Sequence, residues 1–224
     1  MKLTEIVPWG RTLAEYKLMF DLSDADLNRQ ILGCGDGPAS FNAEMTERGK
    51  SVTSIDPIYQ FTAAQIEQRV RDTYSTIISQ VSENSSRYTW NYFANPEELG
   101  CARMDAMNEF LANYETGKSA GRYLCQSLPK LDFSDRKFDL CVCSHLLFLY
   151  SEQLSLDFHI ESICELLRVA AEVRIFPLLK LDCNPSAYID PVIEKFTQAG
   201  FDARVRAVNY EFQKGGDSML VIKK

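Results

Sequence analysis

Residues 31–41 read Ile31-Leu-Gly-Cys-Gly-Asp-Gly-Pro-Ala-Ser-Phe41, an apolar run that collides with glycines at 33, 35 and 37. Such a run, ending in a turn, is the pattern of a buried strand. Glycines at a strand-to-helix junction let the backbone approach a ligand closely, and the helix that follows offers free N–H groups to an anion. Pro38 suits a first helical position, where its missing N–H has no partner, and Phe41 and Met45 share a face until Gly49 closes the element. Residues 51–56 (Ser-Val-Thr-Ser-Ile-Asp) then alternate β-branched residues and stop at Pro57. Strand, glycine turn, helix and strand in about thirty residues have the size and order of a βαβ unit.

The turn lacks G-x-x-x-x-G-K-[ST], which disfavours an ATP-cradling loop, and Pro38 and Ser40 stand where a dinucleotide fingerprint would carry its third glycine. Asp56 falls at the end of the second strand, where a carboxylate can accept from two ribose hydroxyls. An adenosine-containing ligand is the shared implication.

Outward from this unit, Leu13, Tyr16, Met19 and Phe20 give residues 12–20 a helical spacing after Pro8-Trp9-Gly10. The spacing predicts two helices over 61–81 and 96–114, which exceed a simple crossover and read as an inserted helical cap, 60–120, within a single domain spanning 1–224. Tyr88, Trp90, Tyr92 and Phe93 form an aromatic group between them, more a staple for the cap than an acceptor pocket. Residues 122–125 make a weak strand, Phe138–Ser144 a strong one, 158–169 a helix and 173–176 a strand. A helix over 191–199 leads to final strands at 203–212 and 218–222, joined by the hairpin signal Lys214-Gly-Gly-Asp217. Strands alternating with helices and a closing hairpin predict an α/β fold, a mostly parallel sheet with helices on both faces.

Of the 224 residues 46% are hydrophobic and 25% charged, and the net charge is -7, so no general field draws the chain to nucleic acid or to anionic lipid. No stretch is long and apolar enough for a span, and the N-terminus has no apolar run of signal-peptide length, so neither a membrane nor a secreted location is expected and a cytoplasmic one is. The seven cysteines lack any C-x-x-C and sit mostly in apolar stretches, as free buried thiols do. With only His145 and His159 beside them, no metal site is expected.

These residues resemble the class I S-adenosylmethionine-dependent methyltransferases, through ILGCGDGPASF (31–41), SVTSIDP (51–57), LDFSDRKFDLCVCSHLLFLY (131–150), ELLRV (165–169) and the terminal hairpin. The resemblance implies a Rossmann-like seven-stranded sheet whose last strand is antiparallel, with S-adenosylmethionine bound along the carboxyl ends of the first, second and fourth strands. It implies that Gly33, Cys34, Gly35, Asp36 and Gly37 form the loop beside the donor's methionine part and that Asp56, followed by Pro57, grips the ribose. Gln126, Ser127 and Leu128 fall near adenine, and Cys143, Ser144 and His145 at the mouth facing the methyl group. The family's acidic residue before the loop is absent, whether its place is Gly33 or, in an alternative register, Ile31; Tyr16 or a cap residue is then expected to meet the donor's ammonium group. The loop between ELLRV and VRIF is shortened to Ala170-Ala-Glu172.

Methyl transfer from a sulfonium is an in-line displacement that needs alignment and exclusion of water, and a base only when the acceptor loses a proton. His145 is the candidate base. His159 is assigned no chemistry, and Cys143 reads as core. Tyr150 and Tyr210 line an acceptor pocket or stand at an interface. The mouth lacks the Asn/Asp-Pro-Pro-Tyr/Phe of base-modifying enzymes, which points to a small-molecule acceptor, with a protein acceptor as the alternative. Competing readings are a non-catalytic module that binds the donor or its demethylated product and, against the missing glycine, an NAD-dependent oxidoreductase.

Overall fold

The computed structural model describes residues 9–224. Residues 1–8, with Pro8 of the expected helix start and much of the stretch read for a leader, lie outside them.

In chain order the elements are α1 (Leu13–Met19), β1 (Ile31–Cys34), α2 (Phe41–Glu47), β2 (Val52–Ile55), α3 (Ala63–Glu83), α4 (Pro96–Ser119), β3 (Tyr123–Leu124), β4 (Phe138–Ser144), α5 (Leu156–Val169), β5 (Ala170–Phe176), α6 (Ile189–Gln198), β6 (Asp202–Ala207) and β7 (Ser218–Lys223). Starts are set by local chemistry. Thr12 with Glu15, and Thr62 with Gln65, close capping boxes that satisfy otherwise orphaned donors at the starts of α1 and α3. Asn95 caps α4, with Pro96 at its first turn.

The sheet is seven-stranded in the order β3-β2-β1-β4-β5-β7-β6, parallel except for β7, which runs antiparallel to both β5 and β6. Its central strands are buried on both faces, β6 at the rim being largely exposed, and alternate residues divide between two cores. Cys141 and Cys143 pack with Ile163 and Leu166 of α5, while Leu140 and Val142 pack with Tyr16, Phe20, Phe41 and Met45 of the opposite layer. At the β3 edge, Tyr59, Phe110, Tyr114 and Tyr123 join α3 and α4 to the sheet. The order of the strands reverses between β1 and β4, and in open α/β sheets the crevice at that point receives ligands.

Four expectations change. Pro38 stands before the helix, since α2 starts at Phe41 behind Ser40. The ELLRV loop is gone: α5 runs straight into β5, which starts at Ala170. The terminal strands do not meet in a tight hairpin, because β6 ends at Ala207 and residues 208–217 leave the sheet to lie against the α3–α4 connection, where Tyr88 bridges Gln213. The strand at 122–125 shrinks to Tyr123 and Leu124. Among the described residues no helix is long and apolar enough to cross a membrane.

Candidate active site

A cavity of ≈ 490 Å³ opens at the carboxyl ends of β1, β2 and β4 and continues under α3 and α4. Gly35 and Gly37 turn the chain there with φ of 70° and 54°, backbone that glycine adopts without strain. A Cβ on Gly35 would press on Ser144 O at 3.2 Å and Leu146 Cβ at 3.1 Å.

Gly33 is bare for a different reason. A Cβ there would come within 1.9 Å of Asp36 Oδ2, because the Asp36 carboxyl group folds back over Gly33. Tyr16 donates its hydroxyl to Asp36 Oδ1 (2.7 Å) and Ser54 donates to Oδ2 (2.6 Å). Burial pushes the Asp36 pKa up to about 7, against these two bonds and with a further push from Asp56. An acidic group thus fills the space over position 33, delivered from three residues onward.

Asp56 ties the end of β2 to the glycine loop: Gly37 N donates to Oδ2 (3.0 Å) and Ile58 N to Oδ1 (2.8 Å). Its pKa is raised to about 6 by burial. An ionised carboxylate accepts about four hydrogen bonds, so each oxygen keeps room for a further donor.

Of the residues expected from the sequence, Cys34, Gly35, Asp36, Gly37, Asp56, Pro57, Gln126, Ser127, Leu128 and His145 line this one cavity. Gly33, Tyr16 and Ser144 do not; they stand behind its wall. Tyr16 is buried with its hydroxyl committed to Asp36, so the direct ligand contact expected of it is corrected to a positioning contact. Ser144 holds His145, its Oγ 3.0 Å from Nδ1. The His145 backbone sits at φ 50° and donates to Phe176 O (2.7 Å), which turns the ring into the cavity. Burial, then Arg11 and Arg103, hold its pKa well below the usual imidazole value, so the ring is neutral.

Tyr88, Tyr150 and Tyr210 also line the cavity. Tyr88 stacks on Phe212 with centroids 4.7 Å apart, and Trp90 and Phe93 meet Phe212 edge-on, so the aromatic group clamps the 208–217 segment while Tyr88 and Phe212 also wall the cavity. Cys143 is core, and His159 is buried outside the cavity with Nδ1 2.7 Å from Ser155 O. Among the described residues no group of His, Cys, Asp and Glu could hold a metal ion.

Sequence reasoning missed a buried charge network. Arg103 of α4 forms two bonds to Glu15 of α1, at 2.5 and 2.7 Å, both residues being 1% exposed. Tyr210 donates to Glu15 Oε1 (2.8 Å). Although burial opposes it, Arg103 keeps the Glu15 carboxyl below its ordinary pKa. The available signal was a lone Arg103 on the face that Leu99, Ala106, Met107 and Phe110 bury.

No family model matches the chain. It is 33% identical over 227 residues to the uncharacterized protein MJ0045 of Methanocaldococcus jannaschii, covering 100% of this chain and 99% of that protein. Among solved structures it is similar to the bifunctional kinase-methyltransferase WbdD, with a TM-score of 0.51 and 12% identity over 94% of this chain and 38% of that one. Magnesium protoporphyrin IX methyltransferase of Synechocystis PCC 6803 with bound SAH matches at a TM-score of 0.48 and 13% identity, over 94% and 81% of the two chains. At these identities the likeness to solved structures is one of fold. The chain belongs to the same family as MJ0045 of Methanocaldococcus jannaschii, and it is built on the fold of the class I S-adenosylmethionine-dependent methyltransferases.

Proposed function

We propose that the protein is an S-adenosylmethionine-dependent methyltransferase whose acceptor is a small molecule. The observation that carries this reading is the single cavity running from the glycine loop and Asp56, past His145, into an apolar arm under α3 and α4. One end suits a nucleoside-bearing donor and the other an acceptor, so both share one cavity.

The donor end fits the group. A Cβ at Gly37 would meet only Asp56 Oδ2, at 3.9 Å, so the backbone there leaves open space that a ligand can use. Asp56 retains acceptor capacity for ribose hydroxyls, and Gln126, Ser127 and Leu128 line the cavity as the residues that would meet adenine. When bound, the sulfonium supplies an activated methyl group. The chain aligns the acceptor with it and excludes water, the two effects that matter most in a displacement. His145, neutral and held by Ser144, takes a proton where the acceptor carries one.

Titration calorimetry with S-adenosylmethionine, S-adenosylhomocysteine and NAD tests the donor. Binding of the first two and not of NAD is expected; binding of NAD alone sinks the reading. Formation of S-adenosylhomocysteine with an acceptor panel then separates a transferase from a module that only binds the donor.

A further inference from the structure

The acceptor end of the cavity carries an unbalanced positive charge. Three guanidinium groups line the cavity, Arg11, Arg69 and Arg103. Arg69 lies over the Phe61 ring, and Glu15, behind Arg103, takes two bonds from it and one from Tyr210, leaving Arg11 without a direct carboxylate partner among the described residues. The one hydrogen bond of the Arg11 guanidinium among the described residues runs from Nη1 to Trp9 O (3.0 Å), and Arg11 Nε and Arg103 Nε are buried without a partner. A half-buried guanidinium with a buried N–H left unpartnered and no carboxylate bonded to it is costly unless a ligand completes it. Arg11 and Arg103 line the same cavity as His145, the candidate base, and burial with Arg103 lowers the Arg11 pKa against the pull of Tyr210 and Glu15. Beyond it the wall turns apolar, where Ile77, Val81, Tyr88 and Leu99 meet Trp9 and Phe212.

We propose that the acceptor is an anionic amphiphile, with an aromatic or similarly apolar body in the arm beneath α3 and α4 and a carboxylate or comparable oxyanion received by Arg11 beside His145. This rests on the donor occupying the Gly35–Asp56 end. A planar guanidinium with no carboxylate bonded to it is the side chain best matched to a carboxylate, and the apolar arm selects against small, fully solvated anions.

The test uses protein saturated with S-adenosylhomocysteine and titrated with 2-naphthoate and 2-naphthamide, which share a body and differ in charge. The acid is expected to bind about tenfold more tightly than the amide, or better, as befits a charge-assisted bond. Arg11→Met should erase that ratio and Arg11→Lys keep part of it, with affinity for S-adenosylhomocysteine unchanged within about twofold. The wild-type ratio is read without any variant, and equal binding of acid and amide overturns the proposal. So does a large loss of S-adenosylhomocysteine affinity in Arg11→Met with unchanged affinity for methylthioadenosine, which has no carboxylate; that result gives Arg11 to the donor. Failure of the wild type to bind S-adenosylhomocysteine instead takes down the donor reading, and this proposal with it.

Discussion

At Gly33 the missing side chain and the buried carboxyl group of Asp36 are two sides of one fact, since each occupies what the other leaves. Gly33→Ala must displace Asp36 from Tyr16 and Ser54, and should cost about 1–3 kcal/mol in urea unfolding, with a smaller loss in an Asp36→Ala background. Asp36 at about 7 and Asp56 at about 6 both titrate above the unfolded carboxyl value, about 3.9. Between those values the native protein holds more protons than the unfolded chain, so their contribution to stability falls as pH rises from about 4 to about 7 and levels off above. Asp36→Asn should flatten part of that slope, checked by unfolding at a series of pH values. His145 needs a replacement that tolerates positive φ, and His145→Asn supplies one. It should leave S-adenosylmethionine affinity near wild type and lower turnover by about 10²-fold or more if the ring moves the acceptor's proton. Wild-type turnover would leave His145 a turn former held by Ser144 and Phe176.

The elements that the chain encodes locally were legible in its residues. Ile31–Cys34 and Phe138–Ser144 are buried on both faces and read as continuous apolar runs, and α3 and α4 show a helical period. Gly35, Gly37 and Asp56 were legible because backbone conformation and strand-end position restrict the residue type. What could not be read was contact between distant elements. Residues 208–217 are drawn off the sheet by Phe212, whose partners lie more than a hundred residues earlier, and Arg103 finds Glu15 across 88 positions. Asp36 escaped because its direction depends on a neighbour's lack of a side chain. The Glu15–Arg103 pair couples α1 to α4, and Tyr210 adds the 208–217 segment. Glu15→Gln leaves Arg103 buried beside Arg11 without its counter-charge, and should cost about 3–5 kcal/mol in denaturant unfolding. A double-mutant cycle with Arg103→Met should recover much of that loss, and strict additivity would deny the coupling.

On the scale of the whole molecule, the cavity joins the β1 loop, the β2 end, α3, α4 and the 208–217 segment, so a donor there binds the folded chain and not the unfolded one. Saturation with S-adenosylhomocysteine at about 100 times its Kd should raise unfolding free energy by about 2.7 kcal/mol. Asp56→Ala should weaken that ligand by about 1–3 kcal/mol and lower the thermal shift at fixed concentration accordingly; an unchanged shift removes Asp56 from the site. The sheet order also bears on how the chain is made. β6 has one neighbour in the sheet, β7, which leaves the ribosome only after residues 208–217 have passed. At about 5–20 residues per second, β6 is exposed for on the order of a second with an open edge on either side. Asp202, Arg204 and Arg206 occupy alternate positions along it, a pattern that discourages pairing with a foreign strand. The charges that later face solvent at the sheet's rim therefore guard the nascent strand while it waits for its partner.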